Sequence, residues 1–294
     1  MKGGRHAWLI AAHGNLSQLL SLLSLLDVPE NDVVLHADAG WADFSEQACR
    51  DAVTRAGLFF VPRLRCPWGS SRFVDALVSL LAEAVKTEHQ YYHMISGQDV
   101  PLRTQSAIRA FFDAHDGEEF VNFADPDNLE FLLRLRIYCL MQVGKPRFRG
   151  ESFLRNLLSN AQKALGINRI RNCPVAFRKG AVWYSITHEC AQYVLSAFPA
   201  YRKYYRMTSC ADEIWLQTII AASPYMDRLH SAGIDDTLAN MVYLDWARGC
   251  GSSPYTFTLD DYDMLTKRPE LLVRKIDARR DPVLFTKLVS RVRE

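Results

Sequence analysis

Strand-like and helix-like segments alternate through the first 123 residues, and this alternation constrains the fold more than any other feature. Short apolar, β-branched runs predict strands at 6–13, 32–38, 58–62, 91–97 and 119–123. Amphipathic segments between them predict helices at 15–27, 45–56, 71–87 and 104–115. This order is typical of an α/β fold in which a mixed, mostly parallel Rossmann-like sheet is flanked by helices.

Polar residues follow three of these predicted strands. His13 and Asn15 follow the first strand, His36 and Asp38 end the second, and residues 96–99 (SGQD) follow the fourth. In open α/β sheets the ligand crevice lies outside the carboxyl ends of the strands. A single histidine here is more often a satisfied core residue, but the convergence of several polar groups favours a nucleotide-type pocket.

The rest of the chain is predicted to belong to the same domain. Residues 125–180 are less regular and are interpreted as insertions over the sheet edge. Strand and helix signals return at 181–198, at the helix that follows Asp212 and Glu213, and at 241–246. Because no Gly-rich linker or internal repeat divides the chain, we expect a single domain over 1–294.

Composition excludes several classes of protein. The net charge of +2, without a basic tail, argues against a nucleic-acid binder. Seven scattered cysteines without a C-x-x-C motif indicate reduced thiols and a cytoplasmic protein. No signal peptide or transmembrane segment is predicted, and the leucine-rich stretch 16–26 is interpreted as a buried helix, with a membrane-surface helix as the alternative.

The common catalytic and nucleotide-binding motifs are absent. The sequence contains neither G-x-G-x-x-G nor a P-loop, and neither G-x-S-x-G nor H-E-x-x-H. Asp125 and Asp127 form a D-x-D triplet with the spacing used to hold a metal-bound sugar nucleotide, but Pro126 makes this segment resemble a turn. We therefore predict no metal site.

Two adjacent acids precede the apolar segment 214–220. Ser209 and Asp212 have the spacing of a capping box, and an acid in the first turn also complements the helix dipole. This explanation accounts for Asp212 and leaves Glu213 without a structural role.

Eight segments together carry a resemblance to a known family. In order they are AWLIAAHGN, VVLHAD, PWGSSRFVDA, YYHMISGQDVPLRT, VWYSITHECAQYVL, SCADEIWLQTII, YLDWARGCGSSPYTF and LLVRKID. Over about residues 6–282 the chain resembles the core-2/I-branching β-1,6-N-acetylglucosaminyltransferases, particularly bacterial members, and the related peptide O-xylosyltransferases. The resemblance implies a GT-A fold, inversion at the anomeric carbon, a UDP-sugar donor and no divalent metal.

The resemblance also implies roles for individual residues. Glu213, the Glu of the DE pair, is the expected general base, and Asp212 is the expected cap. Arg248 and Lys275 are expected to stabilise the departing diphosphate, with Arg274 as the alternative to Lys275. Charged side chains can supply this stabilisation without a metal, because a guanidinium pairs bidentately with phosphate oxygens and an ammonium is a compact point charge.

The remaining site residues are assigned from their position in the matching segments. The uridine is expected to contact His13, Asn15 and Asp38. The donor sugar side is expected to contact Trp68, Ser71 and Asp99, although Trp68 is equally compatible with the core. The acceptor is expected to contact Trp183, Ser185 and His188, of which His188 is also compatible with a structural role at a helix start.

These residues predict an inverting, metal-independent transferase that moves GlcNAc from a UDP-sugar to a hydroxyl of a glycan or glycolipid acceptor. Residues 1–123 are the expected nucleotide-sugar half, and 124–294 the acceptor and catalytic half. The alternatives are a xylosyltransferase of the same fold and a silent sugar-binding protein. A glycoside hydrolase is disfavoured, because adjacent acids on a helix point to different faces. Peripheral membrane association is left open.

Overall fold

The computed structural model describes residues 3–141, 148–250 and 253–293. Its strands, numbered in chain order, are β1 His6–Ala12, β2 Asn31–Ala37, β3 Gly57–Phe60, β4 Tyr91–Ser96, β5 Val100–Pro101, β6 Phe120–Val121, β7 Tyr184–Thr187, β8 Val242–Tyr243 and β9 Leu272–Val273. Its helices are α1 Leu16–Leu26, α2 Glu46–Ala52, α3 Arg72–Ala84, α4 Gln105–Ala114, α5 Leu132–Arg136, α6 Glu151–Ala164, α7 His188–Tyr205, α8 Trp215–Ala221, α9 Tyr262–Thr266 and α10 Pro282–Val292.

Six strands form the main sheet in the order β3-β2-β1-β4-β7-β6. The strands β3, β2, β1 and β4 are parallel neighbours, whereas β7 runs antiparallel to both β4 and β6. The predicted α/β class, with a mixed and mostly parallel sheet between helices, is confirmed. Its parallel strands end on one side of the sheet, which brings the predicted polar residues of β1, β2 and β4 together.

The core is built around β1 and its neighbours. All seven residues of β1 and of β2 are buried, as expected for parallel strands covered on both faces. Helix α1 buries Leu19, Leu22 and Leu23 against them. The prediction that the leucine-rich stretch is a buried helix is therefore confirmed.

A second, three-stranded sheet has the order β5-β9-β8 and is covered by α10. Val100 of β5 pairs antiparallel with Val273 of β9. The residue before β5, Asp99, therefore lies beside the residue after β9, Arg274. This pairing joins two parts of the chain that are 175 residues apart.

Within the described ranges, no helix combines the length and the apolar composition needed to cross a membrane. All seven cysteines are free thiols. The prediction of unpaired cysteines is confirmed.

Candidate active site

A cavity of about 1330 Å³ lies at the carboxyl ends of the parallel strands. The end of β1 contributes residues 11–13, the end of β2 contributes His36 and Asp38, and the end of β4 contributes Ser96. The cavity exceeds the 300–1,000 Å³ typical of a pocket for one drug-sized ligand. It therefore has room for two substrates side by side.

The opposite wall comes from the second half of the chain. It contains Arg134, residues 179–183, Cys210, Asp212, Glu213, Trp246 and Arg274. These segments are distant in sequence, and long-range contacts hold them together.

The structure divides the thirteen residues of the predicted site into two groups. Six line the cavity: His13, Asp38, Trp68, Trp183, Asp212 and Glu213. Seven do not line it: Asn15, Ser71, Asp99, Ser185, His188, Arg248 and Lys275. Six residues of the second group make contacts that explain where their side chains are held, and Lys275 acts through its charge on His13.

Asp38 is fixed by backbone donors. Its carboxylate accepts hydrogen bonds from the N–H groups of Gly40 at 2.6 Å and Cys66 at 2.7 Å. Beside it, Nε2 of His36 accepts a hydrogen bond from the N–H of Leu64 at 3.0 Å. Burial lowers the pKa of His36, so its imidazole is neutral at pH 7. Both side chains are therefore held in one orientation before a ligand binds.

The pKa of His13 is lowered by burial, and further by the charges of Arg274 and then Lys275. A neutral imidazole at this position can donate one hydrogen bond and accept another. Lys275 does not line the cavity, but its charge acts on His13. The pKa of Lys275 is itself lowered by burial and by its neighbour Arg274.

The two tryptophans of the predicted site differ in exposure. Trp68 is 52% exposed at the cavity, so it is not a core residue. Trp183 is 8% exposed and lies under the guanidinium of Arg274, whose Cζ is 4.3 Å from the ring centroid. This contact orients the guanidinium within the cavity wall.

Arg274, which lines the cavity, forms an ion pair with Asp99, which does not. Nη1 of Arg274 donates to Oδ1 of Asp99 at 3.0 Å and also to the hydroxyl of Ser96. Asp99 is 1% exposed and accepts from the N–H of Ser96. Its carboxylate is thus occupied within the protein, and it orients Arg274.

Arg248 is held away from the cavity by two carboxylates. Its guanidinium donates to Asp245 at 2.6 Å and to Asp261 at 2.7 Å, and it lies over the ring of Tyr255 at 4.2 Å. These hydrogen bonds raise the pKa of Arg248. In this arrangement the side chain supports the segment 245–261.

Glu213 carries the most distinctive charge arrangement in the cavity. Its Oε2 is 2.9 Å from Nη1 of Arg134 and 3.5 Å from Nζ of Lys179. Its backbone carbonyl accepts from the N–H of Gly180 at 2.9 Å. The side chain is 30% exposed, so a ligand in the cavity can reach the carboxylate. Two cations therefore fix a carboxylate that can accept a proton from a bound hydroxyl.

The predicted capping role of Asp212 is wrong. Asp212 and Glu213 lie in a short 3-10 turn, and α8 begins only at Trp215. A capping box between Ser209 and Asp212 needs the helix to start at Ser209, and neither the turn nor α8 has a side-chain cap. Both acids also line the same cavity, so the argument that they face different sides of a helix is wrong.

The environment of Asp212 differs from that of Glu213. Burial, followed by the negative charge of Glu213, raises the pKa of Asp212 to about 7. The two adjacent carboxyl groups also differ in their partners, since the two cations pair with Glu213 and not with Asp212.

The other four residues outside the cavity make structural contacts. The side chain of Asn15 caps α1 by accepting from the N–H of Gln18. The hydroxyl of Ser71 accepts from the N–H of Met207 at 3.2 Å, and that of Ser185 bonds Nδ1 of His93 at 2.8 Å. Nδ1 of His188 bonds the hydroxyl of Tyr92 at 2.6 Å, which agrees with the structural alternative.

The D-x-D triplet and one group of metal-ligating side chains both lie outside the cavity lining. The carboxylate of Asp125 accepts from the N–H of Asp127 at 2.9 Å, as in an Asx turn. Over 3–141, 148–250 and 253–293, one group of three side chains has ligand atoms within 4.8 Å of one another: His115, Glu118 and His230. Glu118 precedes β6, whereas Asn122 after β6 lines the cavity, so this group lies at the other end of the strand.

Sequence reasoning missed several residues of the second wall. Arg134 and Lys179 both contact Glu213, yet each lies in the segment interpreted as insertions. Local patterns carry no signal for a contact that spans 79 residues. The glycine at position 180 is an indirect signal that this segment packs closely, because a Cβ there would lie 2.0 Å from the carbonyl oxygen of Asn122.

Comparison with known proteins identifies the family. A family model described as Core-2/I-Branching enzyme matches residues 6–266. The chain belongs to the Core-2/I-branching enzyme family. It is accordingly assigned to a family of glycosyltransferases related to xylosyltransferases, as the sequence motifs predict.

The chain is similar to xylosyltransferase 1 from several mammals. The protein from Canis lupus familiaris is 21% identical over 93% of this chain and 29% of its own length. The Homo sapiens protein is 20% identical over the same shares. The chain thus spans less than a third of the length of these relatives. Among solved structures, the apo form of mouse xyloside xylosyltransferase 1 is 10% identical, covers 91% of this chain and 96% of its own, and has a TM-score of 0.38.

Proposed function

We propose that the chain is an inverting glycosyltransferase that moves a sugar from a UDP-sugar to a hydroxyl of a glycan or glycolipid acceptor without a metal. One observation carries the proposal. The Glu213 carboxylate lies in a cavity at the strand ends, and the cations Arg134, Lys179 and Arg274 line the same cavity. This pairing of an accessible base with fixed positive charge is what glycosyl transfer needs.

The nucleoside is assigned to the first half of the chain, residues 1–123. Asp38, with its orientation fixed by two backbone donors, is placed to accept hydrogen bonds from a ribose or a uracil. Neutral His13 and exposed Trp68 line the same side. The acceptor is assigned to the second half, residues 124–294, which supplies Glu213 and Trp183.

The diphosphate is assigned to Arg274, which lines the cavity, whereas Lys275 lies outside the lining and contributes through its charge. The contacts of Arg274 with Asp99 and Trp183 hold its guanidinium in the cavity wall, so little reorganisation is needed when charge develops on the leaving group. Arg248 stays a candidate by resemblance, although it would have to leave Asp245 and Asp261 to reach the cavity.

The reaction follows from these positions. Glu213 takes the proton of the acceptor hydroxyl as that oxygen forms a bond to the anomeric carbon. The bond from this carbon to the diphosphate oxygen breaks, and the cations balance the charge on UDP. Attack from the face opposite the leaving group inverts the anomeric centre.

GlcNAc is the donor sugar that the motifs favour, and xylose is a second candidate. The observation behind xylose is that xylosyltransferases 20–21% identical align with 93% of this chain. A silent sugar-binding protein is disfavoured, since Glu213 faces the cavity.

A ligand screen tests the proposal. UDP-GlcNAc, UDP-xylose, UDP and GDP-mannose are added to the purified chain with EDTA, and the melting temperature is recorded with transfer to a glycan panel. We expect UDP and one UDP-sugar to raise the melting temperature in EDTA. Binding that requires manganese, or a response to GDP-mannose alone, would refute the metal-free UDP-sugar mechanism.

A further inference from the structure

Helix α6 presents its apolar side to solvent. Its buried residues are the polar Glu151 and Gln162. The Gln162 amide accepts from the N–H of Tyr138 at 2.8 Å and donates to the carbonyl of Tyr138 at 3.0 Å. A surface helix of a globular protein normally buries its apolar stripe and exposes its polar one. Here the polar side attaches the helix to the protein.

The exposed side of the helix forms a continuous apolar face. Phe153 is 73% exposed, Leu154 38% and Leu157 52%, and Leu165 directly after the helix is 77% exposed. At 100° per residue these four side chains fall within an arc of about 120°. We call these four residues the apolar face of α6.

Exposed apolar side chains are concentrated in this region. Among the described residues, nine of the eighteen large exposed hydrophobic side chains lie between 129 and 165. Single exposed apolar residues need no explanation, but a contiguous group marks an interaction site.

The exposed charges that are close in sequence to the apolar face have one dominant sign. Exposed basic residues in the segments 128–141 and 148–171 are Arg136, Arg149, Lys163 and Arg171. The exposed acid in the same segments is Glu130, because Glu151 is buried. The whole chain has a net charge of only +2, so this basic character is local.

We propose that the apolar face of α6 binds the surface of a bilayer that contains anionic phospholipids. Phe, Leu and flanking Lys or Arg residues are the composition of helices that lie in the membrane interface. The basic residues meet the negative headgroups, and the apolar side chains enter the boundary with the acyl chains. A symmetric contact with a second copy is disfavoured, because it would bring the basic residues of both copies together.

Vesicle sedimentation tests this surface. The full chain is mixed with phosphatidylcholine vesicles, with or without one quarter phosphatidylglycerol, and the bound fraction is measured. We expect binding to the anionic vesicles that weakens at high salt. The variant with Phe153→Ser and Leu157→Ser should bind at least tenfold more weakly. As a matched control, the variant with Phe59→Ser and Val283→Ser changes side chains that are 43% and 51% exposed elsewhere, and it should bind like the wild type.

Three results of the vesicle experiment would overturn the proposal: no binding of the wild type to anionic vesicles, equal binding of the two double variants, or equal binding to neutral and anionic vesicles. Light scattering in the absence of lipid tests the alternative, in which the apolar face binds a second copy of the chain. A dimer that Phe153→Ser and Leu157→Ser dissociate would assign the apolar face to a second copy. Melting temperatures of both variants confirm that each is folded.

Discussion

The two walls of the cavity are held in place by different kinds of contact. On the first wall, Asp38 and His36 are fixed by backbone N–H groups of Gly40, Leu64 and Cys66, all within 28 residues. On the second wall, Glu213 is held by side chains of Arg134 and Lys179, which lie 79 and 34 residues away in the sequence.

These two kinds of contact suit the two walls to different functions. Backbone donors around the first wall hold its side chains in a fixed arrangement suited to recognising a ligand. In the proposed reaction, ion pairs on the second wall hold charges where the transition state develops charge. The proposed function therefore assigns recognition to the first wall and chemistry to the second.

Substitution of Glu213 should have the largest effect on activity. Glu213→Gln keeps the size of the side chain but cannot take the acceptor proton, so transfer should fall by roughly 10²–10⁴-fold. UDP affinity should stay near that of the wild type. Initial rates and a UDP titration measure both quantities.

The matched control for this substitution is Glu189→Gln, which also breaks an ion pair, with Arg228 on the surface. It should leave the transfer rate unchanged. A fully active Glu213→Gln enzyme would remove the chemical role of the second wall.

Gly180→Ala should disturb the second wall through the backbone. A Cβ at Gly180 would lie 2.0 Å from the carbonyl oxygen of Asn122, so the segment that carries Lys179 must shift. We expect a loss of about 3 kcal/mol in the free energy of unfolding, measured by urea denaturation. Gly14→Ala is the control, since no atom lies within 4 Å of its Cβ position. Equal stability of the two variants would contradict the close packing of this wall.

Loss of Arg274 should weaken UDP more than uridine. One charge-assisted contact is typically worth about 1.5–3 kcal/mol, so Arg274→Ala should lower UDP affinity by roughly 10–100-fold in calorimetry. Lys275→Ala should act in the same direction. Arg248→Ala tests whether Arg248 binds the diphosphate, as the family resemblance implies, or stays with its two carboxylates. A larger loss of UDP affinity than in Arg274→Ala would show that Arg248 leaves these carboxylates to bind UDP.

Asp212→Asn should change stability in a pH-dependent way. The pKa of Asp212 is raised from 3.8 to about 7, so between these values the folded state binds more protons than the unfolded state. Stability of the wild type therefore falls as the pH rises through this window. The variant lacks the buried charge and should be more stable than the wild type by roughly 4 kcal/mol at pH 8, with little difference at pH 4. Melting temperatures of the wild type and the variant are compared from pH 4 to pH 8. A constant difference between them across this range would contradict the raised pKa of Asp212.

The fold was predictable where contacts are local. The hydrophobic patterns of strands and helices are regular enough to locate β1, β2, β4 and the helices between them within a few residues. The antiparallel insertion of β7 between β4 and β6 was not predictable, because it joins residues about 90 positions apart.

The site, too, was predictable where residue positions depend on local sequence, and not where they depend on long-range contacts. Asp38 and His13 follow their strands, and their position at the cavity follows from the topology. The ion pair of Asp99 with Arg274 depends on β5 meeting β9, and the absence of a helix start at Ser209 depends on tertiary packing around α8. Capping patterns in a sequence describe a local preference, which the packing of Trp215 to Ile220 overrides here.

A structure of the chain with UDP tests the central claim most directly, namely that the two walls form one active site. We predict that the nucleoside lies against the first wall beside Asp38, and that the diphosphate lies within hydrogen-bond distance of Arg274. The Glu213 carboxylate should then face the open space beyond the β-phosphate, where a sugar and an acceptor hydroxyl fit. UDP bound outside this cavity, or with its diphosphate directed away from Arg274 and Lys275, would contradict the account.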